Sequence, residues 1–364
     1  MSVFQKRLER LYAEMKRLDI DRFLITSFVN VTYLSGFTGD DSYLLVTDKD
    51  ATLISDPRYE EQIKEECFDV KVHIRKPTDP ILQVAADLVN RKGGSTLAAE
   101  PNSLTMGQLS QLQSTVSAKV IASPIEIESF RAIKDSKELK SIRRAIAMAE
   151  RAFLAMRQRL TAETTERQIA NEIDGNIRDL GGKGSAFQTI VGVGPRAALP
   201  HGRPSDRVLG ESPFVLVDWG ANEGLYLSDL TRVLVTGRIP AKFSKIYETV
   251  LEAHRKAAVA LRPGVLPSEI DGIARGAIEE AGFGKHFNHG LGHGFGLLIH
   301  ESPRLAKNQV KPLQPGMVVT IEPGIYLPGW GGVRIEDDYL ITKEGHERLT
   351  SLPQDLEANS VLFL

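Results

Sequence analysis

The sequence has almost no cysteine, no excess of charge of one sign and no long apolar run. Cys67 is the only cysteine among 364 residues, which excludes a disulfide framework and a thiolate metal cage and favours a reducing compartment. We expect its side chain to be buried as a small apolar group. The 45 basic and 47 acidic residues give a formal net charge of -2, too weak a field to gather phosphate backbones or anionic lipid. We therefore expect no nucleic acid and no membrane as partners.

Apolar residues occur only in short runs. None reaches the roughly 18 consecutive apolar residues that a membrane-spanning helix requires. Residues 1–20 alternate apolar and charged side chains at helical spacing, without the apolar core of a signal peptide, so we expect a cytoplasmic protein. Hydrophobic residues make up 42% of the chain and charged residues 25%, which is typical of a globular protein whose length allows two domains.

Residues 1–130 alternate between helical and strand patterns. Helical spacing predicts a helix over residues 2–18, and two more helices begin near Pro57 and Pro80. Six short apolar segments are typical of strands: FLIT, SYLLVT, ATLIS, VKVHI, TLAAE and KVIAS. We predict a small α/β domain that ends near residue 130, because Asp135 and Glu138 then form a capping-box pattern at the start of a long amphipathic helix.

Residues 131–364 contain a faint internal repeat. The segment LTAETTERQIANEIDGNIRDLGG aligns with LRPGVLPSEIDGIARGAIEEAGFG, so that Ile169 matches Ile270 and Gly181 matches Gly282. In each half, helices are followed by apolar strands. Two amphipathic helices can align this well by chance, so the evidence for a repeat depends on what the strands carry.

Both sets of strands carry a pair of carboxylates. Asp218 and Asp229 flank the turn ANEG, and Glu322 and Glu336 flank the loop PGWGG. Antiparallel pairing sets the members of each pair nearly opposite, with side chains about 5 Å apart. Two such charges repel by roughly 4 kcal/mol at 4 Å and an effective dielectric near 20. We therefore expect a positive group between them.

That positive group is either an arginine or a metal ion. Arg232 and Arg334 lie close to the acids in sequence and would make ordinary salt bridges. Four carboxylates in apolar strands are, however, too costly to bury without full compensation, and two divalent cations would balance four negative charges. Oxygen-rich ligation favours manganese, iron, cobalt or zinc with bridging carboxylates.

Four of the eight histidines lie between residues 286 and 300, in or beside the segment HGLGHGFGLLIHESP. Its alternating glycines disfavour a helix by about 1 kcal/mol each relative to alanine. Gly290 also stands where the HExxH zinc motif requires a glutamate. We predict an extended chain here.

Every second residue of an extended chain lies on one face. That face would carry four side chains: His289, Leu291, His293 and Phe295. The glycines leave the other face open to close approach of another backbone or of a ligand. His300 has the opposite parity, so we predict a bend between residues 294 and 299 that turns it towards the same cleft.

Five ordered motifs carry a family resemblance: ALPHG, VDWGANEGLYLSDLTR, HGLGHGFGLLIHE, TIEPGIY and GVRIEDD. With them the sequence resembles the metal-dependent peptidases of the pita-bread fold, which include Xaa-Pro dipeptidase (prolidase), aminopeptidase P and methionine aminopeptidase. TYLSGFTG and SDPRYEEQ resemble the creatinase-type domain of prolidases and aminopeptidases P. The resemblance implies an α/β (α+β) chain with a creatinase-like domain in residues 1–130. A pita-bread catalytic domain with an internal pseudo-two-fold repeat would occupy residues 131–364.

The resemblance also implies site residues. The family's five metal ligands fall on Asp218, Asp229, His293, Glu322 and Glu336. Asp229 and Glu336 would bridge two divalent ions, with manganese as the expected metal and cobalt, zinc or iron as alternatives. The other residues expected to act in catalysis are His201, His289, His300 and Arg334. Glu322, besides binding metal, is the candidate proton shuttle.

The implied activity is hydrolysis of an Xaa-Pro bond at the N-terminus of dipeptides or short peptides, so the expected substrate has proline at its second position. That bond is a tertiary amide with a rigid ring, and Phe187, Tyr226 and Phe295 are candidate walls of a proline pocket. The motifs do not separate dipeptidase from aminopeptidase. The family further implies a homodimer.

Other interpretations fit the sequence less well. Gly192-x-Gly194-x-x-Ala197 loosely matches a dinucleotide fingerprint, but Pro200 leaves no room for the helix that should follow, and Lys183 lacks the spacing of a phosphate loop. A creatinase-like hydrolase that works without metal, or a pita-bread domain that binds without catalysis, would have lost ligand residues. The intact ligand set favours the peptidase.

Overall fold

A computed structural model describes residues 1–361 and divides the chain into two compact units. The first unit is Met1–Phe130, and the second begins at Arg131. In the described residues no helix is both long and apolar enough to cross a bilayer. Cys67 is buried, as expected, and desolvation raises the pKa of its thiol to about 12.

The first unit is built on a six-stranded sheet. Its strands are β1 Arg22–Ile25, β2 Ser42–Thr47, β3 Ala51–Ser55, β4 Lys71–Ile74, β5 Thr96–Ala99 and β6 Lys119–Ala122. They lie in the order β4-β3-β2-β1-β5-β6. The β1-β2 and β2-β3 pairs are antiparallel and the other three are parallel. The six predicted strands are therefore confirmed, with bounds that differ by at most one residue.

Helices complete this unit. They are α1 Val3–Arg17, α2 Phe28–Ser35, α3 Glu60–Glu66, α4 Ile81–Lys92, α5 Met106–Thr115 and α6 Ile127–Arg131. The predicted helices α1, α3 and α4 are confirmed, with a 3-10 turn over Pro57–Tyr59 leading into α3. α2, α5 and α6 were not predicted. The sequence of α2, FVNVTYLS, is rich in β-branched and aromatic residues that favour strands, and tertiary burial decides its structure.

Over residues 131–361 the second unit contains four long helices: α7 Ser136–Arg157, α8 Glu166–Asp179, α9 Ala241–Ala260 and α10 Pro267–Glu280. α7 begins with the predicted capping box between Asp135 and Glu138. α8 and α10 begin and end at aligned positions of the two repeat segments. The glycines after them, Gly181 and Gly282, both have a positive φ, 94° and 86°. The repeat predicted from the sequence thus has a structural counterpart.

Twelve strands accompany these helices in the described part of the unit. They are β7 Ile190–Val193, β8 Phe214–Trp219, β9 Asn222–Glu223, β10 Tyr226–Leu227, β11 Leu230–Val235, β12 Gly292–Gly294, β13 Glu301–Leu305, β14 Val318–Ile321, β15 Gly324–Leu327, β16 Gly331–Arg334, β17 Asp337–Ile341 and β18 His346–Arg348. Two larger sheets have the orders β11-β8-β7 and β13-β12-β14-β17-β18, and β9-β10 and β15-β16 form two-stranded pairs. A bridge between Thr231 and Glu336 links the halves of the repeat.

Apolar packing fixes the strand that carries the first acid. Trp219 is fully buried and stacks on Phe153 of α7, with ring centroids 4.1 Å apart. Its Nε1 donates a hydrogen bond to Ala149 O at 2.9 Å. Since neighbouring side chains of a strand point to opposite faces, the anchoring of Trp219 towards α7 directs Asp218 to the other side of β8.

Candidate active site and metal centre

The nine site residues predicted from the sequence all line one cavity of about 770 Å³ in the second unit. They come from three parts of the chain. The loop after β7 and the β8–β11 pair carry His201, Asp218 and Asp229. The segment around the β12–β13 hairpin carries His289, His293 and His300. The segment from β14 to β17 carries Glu322, Arg334 and Glu336.

The register of the first hairpin differs from the prediction. β8 and β11 pair so that Asp218 lies opposite Thr231, two residues beyond Asp229. The reason is the turn itself: Gly224 and Leu225, at φ 56° and 83°, form a two-residue turn with both central residues at positive φ. Asp218 and Asp229, predicted to lie nearly opposite each other, are therefore diagonal neighbours and not a directly opposed pair.

The register of the second hairpin agrees with the prediction. β15 and β16 pair Gly324 with Arg334. Continued by two residues, the same register sets Glu322 opposite Glu336. The bridge from Thr231 to Glu336 then brings the second pair of acids beside the first.

Three of the five expected metal ligands already form a compact donor group. Ligand atoms of Asp229, His293 and Glu336 all lie within 4.8 Å of one another. The Nε2 atom of His293 is 3.4 Å from Glu322 Oε1 and 3.6 Å from Asp229 Oδ2. Asp218 Oδ1 is buried and has no hydrogen-bond partner in the described part of the chain. A buried acceptor without a donor is the kind of atom that a cation satisfies.

Electrostatics at this cluster favour a bound cation. Burial, followed by the charges of Glu336 and Asp218, raises the pKa of Asp229 well above its usual range. Burial also raises the pKa of Glu322 to about 8, and burial with the charge of Glu322 raises that of Glu336. Four carboxylates therefore repel one another in a poorly solvated site. This donor set fits divalent cations that prefer oxygen ligands.

His293 is prepared to be a neutral ligand. Burial lowers the pKa of its imidazole to about 3. Its Nδ1 lies 3.1 Å from Gly294 O, so Nδ1 carries the proton and donates a hydrogen bond to that carbonyl. The Nε2 lone pair, which faces Glu322 and Asp229, is thereby left free to coordinate a metal ion.

Among the described residues, arginine forms a direct ion pair with one of the four acids. Arg334 forms an ion pair with Asp218 and donates from Nε to Thr231 Oγ1 at 3.0 Å. Arg232, the other candidate, pairs instead with Asp337 at 2.6 Å. One guanidinium against four carboxylates leaves net negative charge, so salt bridges alone do not account for the cluster.

A tyrosine that sequence reasoning missed connects Arg334 to a histidine. Tyr326 Oη accepts from Arg334 Nη1 at 2.7 Å and lies 3.0 Å from His289 Nε2. His289 Nδ1 lies 2.7 Å from Gly290 O and donates to it, so Nε2 accepts a hydrogen bond from the tyrosine hydroxyl. Burial lowers the pKa of His289 to about 4. The sequence did offer one indication of this role. Glu322 and Tyr326 are four residues apart in an extended segment, and residues at even spacing in a strand lie on the same face.

The glycine-rich segment follows the prediction in its backbone. A Cβ at Gly292 would collide with Thr320 O, and one at Gly294 with Ser302 O, so the glycines do permit close approach of neighbouring backbone. The register of β12 against β13 shifts between His293 and Gly294, and the chain bends over residues 296–300. The predicted bend is confirmed, and His300 lines the same cavity as His293.

Two expectations are wrong: that Leu291 and Phe295 share the cavity face with His289 and His293, and that Tyr226 and Phe295 are walls of a proline pocket. Leu291 and Phe295 belong to apolar clusters, and of the described residues that line the cavity they form no part. The register shift after His293 turns Phe295 away from the face that carries His289. Tyr226 packs against the cluster that contains Phe295 and donates to Glu138 at 3.0 Å. Of the three candidate proline walls, only Phe187 lines the cavity.

Two exposed arginines, which the sequence did not single out, also line the cavity. Arg203 follows His201 by two residues, and Arg304 lies opposite His293 in the β12–β13 pair. Both offer positive charge to an anionic part of a ligand. A buried acidic cluster that suits divalent cations, open to a cavity with imidazoles and arginines, defines a metal-dependent hydrolase.

Comparison with known proteins narrows this class. Residues 140–343 match metallopeptidase family M24, and residues 7–133 match the creatinase/prolidase N-terminal domain. The chain belongs to metallopeptidase family M24. The family implies divalent metal ions, in agreement with the buried donor group of Asp229, His293 and Glu336.

Relatives align along almost the whole chain. An Xaa-Pro dipeptidase of Pyrococcus horikoshii is 37% identical over 98% of this chain and 100% of its own length. Among solved structures, an Xaa-Pro dipeptidase from Bacillus anthracis has a TM-score of 0.93 at 35% identity, covering 99% of this chain and 100% of that one. An X-Pro aminopeptidase from Thermotoga maritima has a TM-score of 0.87 at 36% identity, covering 96% and 99%.

Proposed function

We propose that this protein is a dinuclear metal-dependent peptidase that hydrolyses the Xaa-Pro bond at the N-terminus of dipeptides or short peptides. The observation that carries the proposal is the convergence of all nine expected site residues on one cavity. Relatives named Xaa-Pro dipeptidase and X-Pro aminopeptidase at 36–37% identity support the substrate class. Residues 131–364 would form the catalytic domain and residues 1–130 the creatinase-like domain.

Five residues would hold the metal ions: Asp218, Asp229, His293, Glu322 and Glu336. Bound divalent ions lower the pKa of a water molecule and polarise a carbonyl group. Their positive charge also offsets the repulsion among the four buried carboxylates. Asp229 and Glu336 are the proposed bridging ligands. Manganese is the proposed metal, with cobalt, zinc or iron as alternatives.

The remaining cavity residues bind and orient the peptide. His289 and His300 line the cavity. His300 would contact the substrate carbonyl or the oxyanion that develops from it. Both ring nitrogens of His289 are hydrogen-bonded, to Gly290 O and Tyr326 Oη, so His289 would hold the substrate by packing against it. His201 lies on the loop after β7, at another part of the cavity wall. Glu322 is the proposed proton shuttle, because its carboxylate lines the cavity and lies 3.4 Å from Nε2 of the proposed ligand His293.

The state and location of the protein are parts of the same proposal. A homodimer is proposed from the family relationship alone. A cytoplasmic location is proposed because Cys67 is the only cysteine and a reducing compartment suits such a chain.

The test is a substrate panel on the purified protein loaded with manganese. We expect turnover of an Xaa-Pro dipeptide or an Xaa-Pro-Xaa tripeptide, and little turnover of the matched peptides with alanine in place of proline. Equal turnover of the alanine peptides would contradict the assigned specificity. Hydrolysis that persists in a verified metal-free sample would favour a creatinase-like enzyme, and binding of these peptides without hydrolysis would favour a non-catalytic binding domain.

A further inference from the structure

The tip of the β12–β13 hairpin, residues 295–300, is attached to a buried cluster of charged side chains. Glu301, the first residue of β13, accepts from Leu298 N at 3.0 Å through Oε1. The same oxygen accepts from Arg131 Nη2 at 3.0 Å, and Oε2 accepts from Lys134 Nζ at 3.2 Å. The side chains of all three charged residues are at most 3% exposed.

Stability alone does not explain such a cluster. The desolvation of buried ions offsets much of their attraction, and an apolar replacement of similar volume is often as stable. What an apolar side chain cannot do is accept the Leu298 N–H. The carboxylate of Glu301 therefore acts on the conformation of the tip, and Arg131 and Lys134 hold that carboxylate in place.

Phe295, at the base of the tip, is fully buried in an apolar cluster, whereas the tip residues beyond Gly296 are only partly buried or exposed. The Leu298 side chain is 43% exposed, so apolar burial contributes little there. Among the described residues, Leu227 N donates a further backbone hydrogen bond, to Gly296 O at 2.9 Å. His300 lies between Leu298 and Glu301 in the sequence. Its ring centroid is 4.4 Å from that of His293.

We propose that Glu301 is a positioning residue, which fixes the imidazole of His300 against the substrate by holding the Leu298 backbone. This inference rests on the proposed function, in which His300 contacts the substrate. A displacement of about 1 Å in a substrate-orienting group can cost about 100-fold in rate. A rigid attachment at Leu298, two residues before His300, is therefore expected to affect turnover strongly.

A kinetic double-mutant cycle tests the proposal. Glu301→Gln keeps the shape of the side chain but removes its charge, so the amide no longer satisfies both cations and the Leu298 N–H. We expect kcat/KM for an Xaa-Pro dipeptide to fall about tenfold in the wild-type background and less than about twofold in a His300→Ala background, because residues that act as a unit are not additive. Bound metal should be unchanged in both.

Glu100→Gln is the matched control for the loss of a buried carboxylate. Glu100 is 7% exposed, as is Glu301, and it accepts from Thr26 N and Ser27 N within the first unit. We expect this variant to lose thermal stability with kcat/KM within about twofold of wild type, since it touches no cavity residue in the described chain. An equal loss of kcat/KM in both glutamine variants would overturn the proposal.

Hydrogen exchange gives a readout that does not depend on activity. Glu301→Asp keeps the charge for both cations and withdraws the carboxylate from Leu298 N by one methylene, so it also serves if Glu301→Gln does not fold. We expect peptides that span residues 295–300 to exchange faster in the variant, with other peptides unchanged. Unchanged exchange at the tip, or equal kinetic effects with and without His300, would overturn the positioning role.

The kinetic cycle and the hydrogen-exchange experiment together also distinguish a failure of this proposal from a failure of the proposed function. A wild-type protein that hydrolyses no Xaa-Pro peptide would remove the function, and with it the kinetic role of Glu301. Faster exchange at the tip in Glu301→Asp would in that case still support the structural attachment.

Discussion

The imidazoles of His293 and His300 meet edge to face, with ring centroids 4.4 Å apart and planes at 75°. Their surroundings differ nonetheless. His293 directs Nε2 towards Glu322 and Asp229, whereas His300 lies on the bent tip of the hairpin at the cavity wall. Two adjacent histidines of one segment can therefore serve the metal and the substrate separately.

That division predicts opposite effects of two alanine substitutions. His293→Ala should lower the bound metal, because it removes the one nitrogen from the donor group. His300→Ala should keep the metal and lose most of kcat. Metal content by mass spectrometry and turnover of an Xaa-Pro dipeptide measure the two effects, and equal metal loss in both variants would contradict the division of roles.

Tyr326→Phe should weaken catalysis without removing metal. The variant leaves Arg334 Nη1 and His289 Nε2 without the hydroxyl that joins them, and an unsatisfied buried group costs about 1–3 kcal/mol. We expect kcat/KM to fall about tenfold, which corresponds to about 1.4 kcal/mol. Tyr247→Phe, which removes a buried hydroxyl bonded to Gln354 O at 2.6 Å, is the control. It should lower stability and leave turnover near wild type.

Arg304→Gln should discriminate between dipeptides and longer substrates. A dipeptide places its carboxylate next to the proline, where an exposed guanidinium on the cavity wall could bind it, whereas a tripeptide carries its carboxylate farther away. We expect KM for the dipeptide to rise about tenfold, in keeping with about 1.5 kcal/mol for a charged hydrogen bond. KM for the tripeptide should change less. Lys307→Gln removes a nearby exposed charge as the control, and the same change in both KM values would argue against carboxylate binding by Arg304.

The burial of His254 should make the free energy of unfolding depend on pH in the acidic range. Its side chain is fully buried, and burial, only partly opposed by Asp337, lowers its pKa from 6.5 to about 4. Between these two values the unfolded chain binds a proton that the folded chain does not, so stability falls as the pH drops from 6.5 to 4.

His254→Gln should remove this component. We expect the advantage of wild type over the variant in free energy of unfolding to shrink by about 2–3 kcal/mol from pH 7 to pH 4. Urea unfolding of metal-free protein at several pH values measures it. A difference between wild type and variant that does not vary with pH would refute this account of His254.

Local patterns in the sequence predicted much of the site. The register of the second hairpin followed from its symmetry about PGWGG, and the bend before His300 followed from the parity of the strand. The register of the first hairpin differs from the predicted one because Leu225 adopts a positive φ of 83°, which is rare for a branched side chain. No sequence pattern indicates that choice.

Contacts between distant segments could not be predicted. Glu301 meets Arg131 across 170 positions of the chain, and Thr231 meets Glu336 across 105. Each depends on how the sheets pack, which a single sequence does not specify. Tyr326 lies between these two cases. Its spacing from Glu322 indicates that both lie on one face of the strand, but its contacts with His289 and Arg334 could not be predicted.

The most direct test of the central claim is metal content measured alongside turnover on the same purified sample. The account predicts about two divalent ions per chain, loss of Xaa-Pro hydrolysis when a chelator removes them, and its return when manganese or cobalt is added. A protein that binds no divalent metal, or that hydrolyses the peptide equally well after verified metal removal, would contradict it.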